Sequence, residues 1–546
     1  INGGEVRNAA TLRTCLAVRY VIFTNPYSRN DPLHPELRIV MQMTDNSPYI
    51  HAACFQRSNG LEVILPVDLS IFLNSLMFHC AAKPGLAQVL LNLMNFEGYA
   101  LRRRRAKNLR SGKRNRAGAC IGQKWSEVQK EFETAVFIGI IRPTVLDYEE
   151  IKRQGFGLCP DPDTVIQADD LIIFFGPKPT PVHSLKMIDM VESYRQEAVN
   201  LQIQYGLSGK PVVNEEVKSV RNFLICGWRS AWSKDPLRLH QRLDEIVGVC
   251  LKGTTFTFIN GVDIDEFEEL ITLNNYSSRR TADAVTAAVD IPAAPDQARA
   301  SQVRFHTNLT VFDRSYELKG HAGIIIRHKH GDCANPKVLE PVMQEHDIHT
   351  AIVMGTQSNV RLSPVSRDTR VLSIMLLLRK MYTSKCKECA ANSEPQPPPM
   401  HVVSENQEDM TAKIALGPRI VGDYVVSKDK DPDFINTQAI YARVMAQVMA
   451  YPVIKPAVED LFSETEGSAD LHFVYASAYV PLGVKISYGT VFQLVLMTPG
   501  ERSICLGYMN ARGKSSLAPN YEEEREYADG EQLILLRRLL VENVNC

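Results

Sequence analysis

The stretch Val220 to Trp232, V-R-N-F-L-I-C-G-W-R-S-A-W, constrains the fold more than any other. Its apolar run 223–226 is too short for a helix and reads as a buried strand. Gly227 and Trp228 follow as a turn. A helical pattern begins at Pro236, with Leu237, Leu239, Leu243, Ile246 and Val247 along one side. Strand, tight glycine turn and helix are how a doubly wound α/β domain opens. The chain before this point reads as the end of one α/β unit, and the chain after it as a second.

The alternation holds on both sides. Residues 9–23 read as a helix, 37–43 as a buried strand, 49–57 as a short helix, 61–66 as a strand and 69–94 as a long helix interrupted at Pro84-Gly85. Parallel strands need helical crossovers, so this is half of a doubly wound sheet. Its opening half is expected upstream of Ile1 or from another chain, and the sequence reads as a fragment. Residues 135–141 and the end of 158–176 read as strands, and 177–183 as a proline-rich link. In the second unit, strand 254–260, helix 265–273, an Ala-rich insertion 274–308, strand 323–327, helix 336–345, strand 350–355 and helix 368–381 make a βαβ run. Residues 384–409, with Pro395, Pro397, Pro398 and Pro399, read as a linker. Beyond it lie a strand at 424–426, helices 437–451 and 458–462, and strands 471–475, 490–497, 503–509 and 532–537.

An internal repeat joins the two halves. Leu158-Cys-Pro-Asp, then Ala168-Asp-Asp-Leu-Ile172, matches Leu517-Ala-Pro-Asn, then Ala528-Asp-Gly530 and Leu533-Ile534. Upstream, Ala135-Val-Phe-Ile-Gly139 matches Ser503-Ile-Cys-Leu-Gly507. Two matches in one order predict duplication: an α/β lobe followed by a small strand-rich lobe, twice.

Charge and cysteine usage narrow the function. The net charge is −1, so the whole-chain field implies no polyanionic partner. No apolar run reaches the ~18 residues that span a bilayer. Twelve cysteines are scattered, several inside apolar elements, which fits reduced thiols rather than a disulfide scaffold. Cys386 and Cys389 form the one close pair. No second C-x-x-C completes a zinc site, His401 is the only nearby helper, and the pair reads as two free thiols in a polar loop.

Residues 101–116 are strongly basic: Arg102, Arg103, Arg104, Arg105, Lys107, Arg110, Lys113, Arg114 and Arg116, with no acid between them. Such a run repels itself and is expected to be an extended, solvated insertion. Its functional reading is contact with an acidic protein or membrane surface. No aromatic residue interleaves it, so no specific nucleic acid is implied. Asp161, Asp163, Asp169 and Asp170 are a candidate hard-cation cluster, as are Asp263, Asp265 and Glu266, though neither has EF-hand spacing. His328, His330, His346 and His349 fall on different elements. No G-x-S-x-G or H-E-x-x-H occurs, no catalytic residue is assigned, and the chain is not expected to be an enzyme. Gly227 is followed by Trp228, which would crowd a pyrophosphate, and the second strand ends at Asn260 where an acidic ribose reader would stand. Bound dinucleotide is therefore not expected, and Trp228 is expected to be buried.

Several separated stretches resemble the Castor/Pollux ion channels of the plant nuclear envelope, whose cytosolic part is a tandem of RCK domains. They are Arg13-Thr-Cys-Leu; Cys80-Ala-Ala-Lys-Pro-Gly-Leu-Ala-Gln88 with Asn95-Phe-Glu97; Phe223-Leu-Ile-Cys-Gly-Trp-Arg229; Ser366-Arg-Asp-Thr-Arg370 with Leu376-Leu-Leu-Arg379; Ile420-Val-Gly-Asp-Tyr-Val-Val-Ser427; and Val458-Glu-Asp-Leu-Phe462. The resemblance is colinear over nearly the whole chain. It implies an α/β fold of tandem RCK modules, each a Rossmann-like parallel-sheet lobe followed by a small α+β lobe. The expected boundaries are 1–98 for the second half of the first Rossmann lobe and 99–180 for its small lobe, with the basic insertion 101–116. A linker 181–217 follows, then the second Rossmann lobe 218–383 with insertion 274–308, a linker 384–409 and the second small lobe 410–546. The implied function is a gating ring beneath a cation pore. It would be a homotetramer or an assembly with other RCK chains, on the cytosolic or nucleoplasmic face of an internal membrane, and the resemblance admits Ca²⁺ as the ligand. Two alternatives stay open. One is a non-channel scaffold of a cytoskeletal, for instance ciliary, or organellar assembly. The other, disfavoured, is a dinucleotide-binding enzyme.

Overall fold

The computed structural model describes residues 10–18, 20, 39–43, 64–95, 99–111, 118, 120–128, 135–142, 156–176, 182–183, 185–207, 220–229, 232–233, 239–240, 243, 250–272, 311–317, 323–356, 363–408, 411, 420–421, 424–425, 433–450, 454–462, 467–498, 502–511 and 513–538. The expected helix 49–57 and insertion 274–308 lie outside these, as does most of the helix expected from Pro236. The chain forms two compact units. One comprises Met77–Pro84 and Glu215–Thr437; the other comprises Ile1–Leu76, Gly85–Asn214 and Gln438–Cys546.

The 215–437 unit is built on a seven-stranded sheet. Its order is Arg314–Glu317, Ile325–His330, Thr255–Asn260, Asn222–Cys226, Thr350–Val353, His401–Asn406, Asp433–Asn436. All pairs are parallel except the edge strand Arg314–Glu317, which runs antiparallel. With that edge strand set aside, the parallel strands run 3-2-1-4-5-6, and the switch point lies beside Asn222–Cys226. Strands buried on both faces read as continuous apolar runs, which is why Asn222–Cys226, Thr255–Asn260 and Thr350–Val353 were legible. Helices Ile264–Thr272, Pro336–Glu345 and Pro364–Ala391 make the crossovers. The last two cover one face, where Leu224, Ile259, Leu339, Val342, Ala351, Val371, Ile374 and Leu378 form the core.

Two boundary expectations are corrected here. The stretch 384–409 is not a linker. Helix Pro364–Ala391 runs ten residues past the expected end, with Ser363 accepting the Ser366 N–H as its N-cap. Cys386 and Cys389 therefore stand on its last turns rather than in a loop. His401–Asn406 is then the fifth parallel strand, and Asp433–Asn436, expected in a separate small lobe 410–546, is the sixth. Both were hidden by polar residues that are buried in pairs: His401 faces Asp433 at 3.3 Å and Glu405 faces Arg229 at 3.1 Å.

The other unit holds the parallel pair Ile39–Met43 and Ile64–Asp68, and two small antiparallel sheets. The first sheet orders Ala100–Arg105, Leu171–Gly176, Val136–Ile141, Gly157–Leu158; the second orders Ala469–Tyr475, Gln532–Arg538, Arg502–Met509, Ser515–Leu517. In chain order both are first-fourth-second-third. Each breaks register in its second strand just before a glycine, between Phe137 and Gly139 and between Cys505 and Gly507. The loop Cys159–Asp161 docks on the second sheet. The Cys159 thiol donates to the Leu536 carbonyl at 3.3 Å, Asp161 pairs with Arg502 at 2.6 Å, and Arg538 donates to the Phe156 carbonyl at 2.9 Å.

Three further expectations fail in this unit. Residues 490–497 are not a strand. Tyr488–Leu496 is a helix capped by Ser487, and it is buried on every side, so no helical period separates it from a buried strand. The expected linker 181–217 contains the helix Leu185–Tyr205. Its buried stripe is narrow, Tyr194, Ala198 and Leu201 among charged residues, and Tyr194 packs against Gly489, where a Cβ would stand 2.5 Å from its ring. The basic run is no insertion: Arg102, Arg103, Arg104 and Arg105 lie on the strand Ala100–Arg105, paired in register with the fully buried Leu171–Gly176. Long arginine stems tolerate a strand when the heads reach solvent. Arg102 also donates to the Gly176 carbonyl at 3.0 Å.

Candidate functional site

In a sheet of this order a ligand sits beyond the carboxyl ends of the strands at the switch point. Here that place lies between the Gly227–Trp228 turn and the chain leaving Val353. The turn is spent on the protein's own backbone. Gly227 N–H donates to the Ile259 carbonyl at 3.0 Å and Trp228 N–H to the Thr356 carbonyl at 3.1 Å. Gly227 has φ 108°, and a Cβ there would stand 2.6 Å from the Thr356 oxygen and 3.0 Å from the Met354 oxygen. The glycine thus serves a close approach of backbone to backbone. Neither N–H is left to face a phosphate.

Trp228 is fully buried, as expected from the sequence. Its ring meets Trp232 edge-on at 5.1 Å and lies 6.2 Å from Phe258 and 5.7 Å from Phe267. Its indole N–H donates to the Ser233 hydroxyl at 2.9 Å, so the polar end is satisfied within the packing. Arg229, next in sequence, pairs with Glu405 at 3.1 Å, both largely buried. Asn260, where an acidic ribose reader would stand, instead accepts the Val262 N–H at 2.9 Å and lies 3.1 Å from His328 Nε2. His328 is fully buried, stacked on Phe267 at 4.0 Å, and burial pushes its pKa down to about 4. It is a neutral core histidine.

The remaining sequence candidates are dispersed. Asp170 is buried and held bidentate by Arg142, at 2.9 and 2.8 Å. Asp169 meets Lys107 at 2.7 Å, whose hydrogen bond and charge lower its pKa. Asp163 meets Lys124 at 2.8 Å, and Asp161 meets Arg502 at 2.6 Å. Each of the four aspartates has its own cation, and among the described residues no three His, Cys, Asp or Glu side chains gather to hold a metal ion. Asp263 caps the helix Ile264–Thr272: its carboxylate accepts Asp265 N–H at 3.0 Å and its carbonyl accepts Phe267 N–H at 2.9 Å. Asp265 and Glu266 stand in the first turn, where the helix dipole favours them. His330 Nδ1 lies 2.8 Å from the Val262 carbonyl, His346 stacks on Phe312 at 5.4 Å, and His349 Nδ1 accepts the Asn222 N–H at 3.0 Å. Arg110 lies on the two-residue strand Arg110–Ser111, while Lys113, Arg114 and Arg116 lie outside the described residues. Among the described residues no helix is long and apolar enough to cross a membrane.

Sequence reasoning missed the Arg229–Glu405 pair and the Asp332–Arg370 pair, whose partners lie far apart in sequence.

No family model matches the chain. It is 20% identical over 476 residues to the ion channel CASTOR of Lotus japonicus, covering 84% of this chain and 44% of that protein. The chain thus corresponds to under half the length of this relative. Among solved structures, the human SLO3 gating ring aligns over 92% of this chain and 82% of its own, with TM-score 0.50 and 12% identity. The GsuK channel bound to NAD aligns over 91% and 60%, with TM-score 0.23 and 10% identity. The fold is therefore the mixed α/β fold of a tandem-RCK gating ring, with Rossmann-like lobes and small antiparallel lobes.

Proposed function

We propose that this chain is the regulatory gating-ring region of a Castor/Pollux-like cation channel, acting by assembly and conformational coupling rather than catalysis. The observation that carries the reading is the extent of the fold likeness: 92% of the chain aligns with one gating ring, and the weak sequence similarity to an ion channel is spread over 84% of it. The self-filled switch point supports a role other than dinucleotide chemistry, because Trp228 and two chain carbonyls occupy the place and donors a pyrophosphate would use. We further read the two small sheets as copies of one ancestral lobe, on the strength of their common strand order and bulge. As a ring component the chain would assemble with three copies of itself or with related chains, on the cytosolic or nucleoplasmic side of a membrane. A Ca²⁺ response, if the ring has one, is to be sought by titration rather than at the four aspartates.

The test is cation flux into vesicles reconstituted with the full natural protein that carries this region. The reading expects flux that a ligand of the ring alters. A well-folded protein that carries no flux under any ligand would overturn the channel reading and favour the scaffold.

A further inference from the structure

The two small lobes lie in one compact unit and reach across to each other with matching loops. Aligning Gly139 with Gly507, the glycines that follow the two bulges, sets Val136 against Ile504 and Ala135 against Ser503. In the loops, Cys159 matches Ala518 and Asp161 matches Asn520. The loop Cys159–Asp161 region closes on the end of the second sheet with three bonds: the Cys159 thiol to the Leu536 carbonyl, Asp161 to Arg502, and Arg538 to the Phe156 carbonyl. The reciprocal loop, 518–521, faces the corresponding end of the first sheet. There two of the bonds cannot be repeated. Ala518 has no thiol to donate, and Asn520 is neutral where Asp161 is charged.

The reciprocal contact holds a cavity of about 110 Å³. Ala135 and Val136, both 2% exposed, form its inner wall at the start of the strand Val136–Ile141. Pro519 and Tyr521, both buried, line it from the loop side. Tyr99 stands at its mouth, 40% exposed, with its ring 5.8 Å from Phe175. An apolar cavity of ~150 Å³ holds benzene, so this one has room for a single ring with its substituent toward solvent. Tyrosine rings favour an aromatic neighbour beyond the area it buries. No lining side chain is charged, so an ion would lose its water there without gaining a partner. Asn520 adds one directional group at the exposed rim. Its side-chain oxygen accepts the Glu522 N–H at 3.1 Å, which fixes the amide and leaves its NH₂ as the donor.

We propose that this cavity, at the seam of the two small lobes, is a binding site for a small neutral molecule made of one aromatic ring and a hydrogen-bond acceptor. The ring packs against Tyr99 and Tyr521, and the acceptor takes the Asn520 amide N–H. The ligand does in this contact what Cys159 and Asp161 do in the other: it fills the space and supplies the polar bond. It touches both lobes at once, so binding strengthens their contact. The site needs only that the two lobes dock, and does not depend on the channel reading.

Fluorine NMR titrations of the purified chain with two probes test it. One is para-fluoroacetophenone, a ring with a carbonyl acceptor; the other is para-fluorotoluene, the ring alone. The first should bind saturably with a Kd of roughly a millimolar, and the second about fivefold more weakly. Asn520→Asp keeps the acceptor for the Glu522 N–H, as Asp161 serves the Asp163 N–H, but loses the donor. It should erase the preference between the probes and leave the melting temperature in place. Ala518→Cys gives the loop the side chain that Cys159 carries at the same left-handed position, φ 47° against 45°, and should weaken both probes severalfold by taking up cavity volume. Tyr99→Ala, at an exposed position, should weaken both about tenfold. No saturable shift with either probe, equal wild-type affinity for the two, or affinities unmoved in both Ala518→Cys and Tyr99→Ala would overturn it.

Discussion

Cys159 and Ala518 hold the same left-handed backbone position, φ 47° and 45°, in the two small sheets. Each donates its N–H to the carbonyl of the residue its sheet's bulge leaves unpaired: Cys159 to Ile138 at 2.9 Å, Ala518 to Leu506 at 2.7 Å. Each is followed by a proline and then by Asp161 or Asn520, whose side chain accepts the N–H two residues on, at 3.0 and 3.1 Å. A left-handed non-glycine residue costs roughly 1–2 kcal/mol, so the bulge and turn must impose it in both lobes.

The two positions should answer glycine oppositely. Ala518→Gly removes the left-handed cost and little contact, and should stabilise by about 1 kcal/mol. Cys159→Gly also removes a buried side chain and its bond to Leu536, and should destabilise by about 1–2 kcal/mol. Gly507→Ala should cost more, about 2–3 kcal/mol, because its Cβ would stand 2.0 Å from the Ser516 oxygen. Urea melts of the three variants decide. Equal effects of Ala518→Gly and Cys159→Gly would contradict the assignment.

His328 predicts an acid-side loss of stability. Its folded pKa, about 4, lies below the ordinary 6.5 because burial disfavours the charged ring. The folded state therefore binds the proton less readily than the unfolded chain. Its full contribution is present above pH 6.5 and is lost as pH falls from 6.5 toward 4, at most roughly 3 kcal/mol. His346 and His349 are also lowered by burial and share the window. The difference between the wild type and His328→Gln isolates the term: their pH–stability curves should converge as pH falls. Parallel curves would mean that the His328 pKa is the same in the folded and unfolded chain.

The contact of Gly489 with Tyr194 predicts that propensity loses to sterics. Glycine to alanine in a helix interior is worth about 1 kcal/mol of gain. Here the new Cβ would meet the Tyr194 ring at 2.5 Å, so Gly489→Ala should destabilise by about 1–3 kcal/mol. Tyr194→Ala costs stability by itself, but Gly489→Ala added to it should become neutral or favourable. A double mutant showing simple additivity would show that the two helices do not pack there.

What the sequence disclosed follows burial. Strands enclosed on both faces, such as Asn222–Cys226 and Leu171–Gly176, stood out as apolar runs, and Pro84-Gly85 correctly divided Leu69–Ala82 from Leu86–Leu93. His401–Asn406 stayed hidden because its buried polar groups find partners, Asp433 and Arg229, that only the fold brings near. The arginines of Ala100–Arg105 concealed a strand for a related reason: pairing with a buried neighbour outweighs their mutual repulsion once their heads are solvated. At the switch point, Gly227 and Trp228 already announced a filled crevice. The Asp332–Arg370 pair did not, since its members come from two elements joined by long-range packing.

The central claim, that this chain forms a gating ring, is tested most directly by its stoichiometry in solution. Native mass and single-particle images of the purified chain at tens of micromolar should give four copies arranged in a closed ring, alone or after adding a divalent cation. A chain that stays monomeric across that range, or that closes as a two-fold dimer with no surface left to extend the ring, would contradict it.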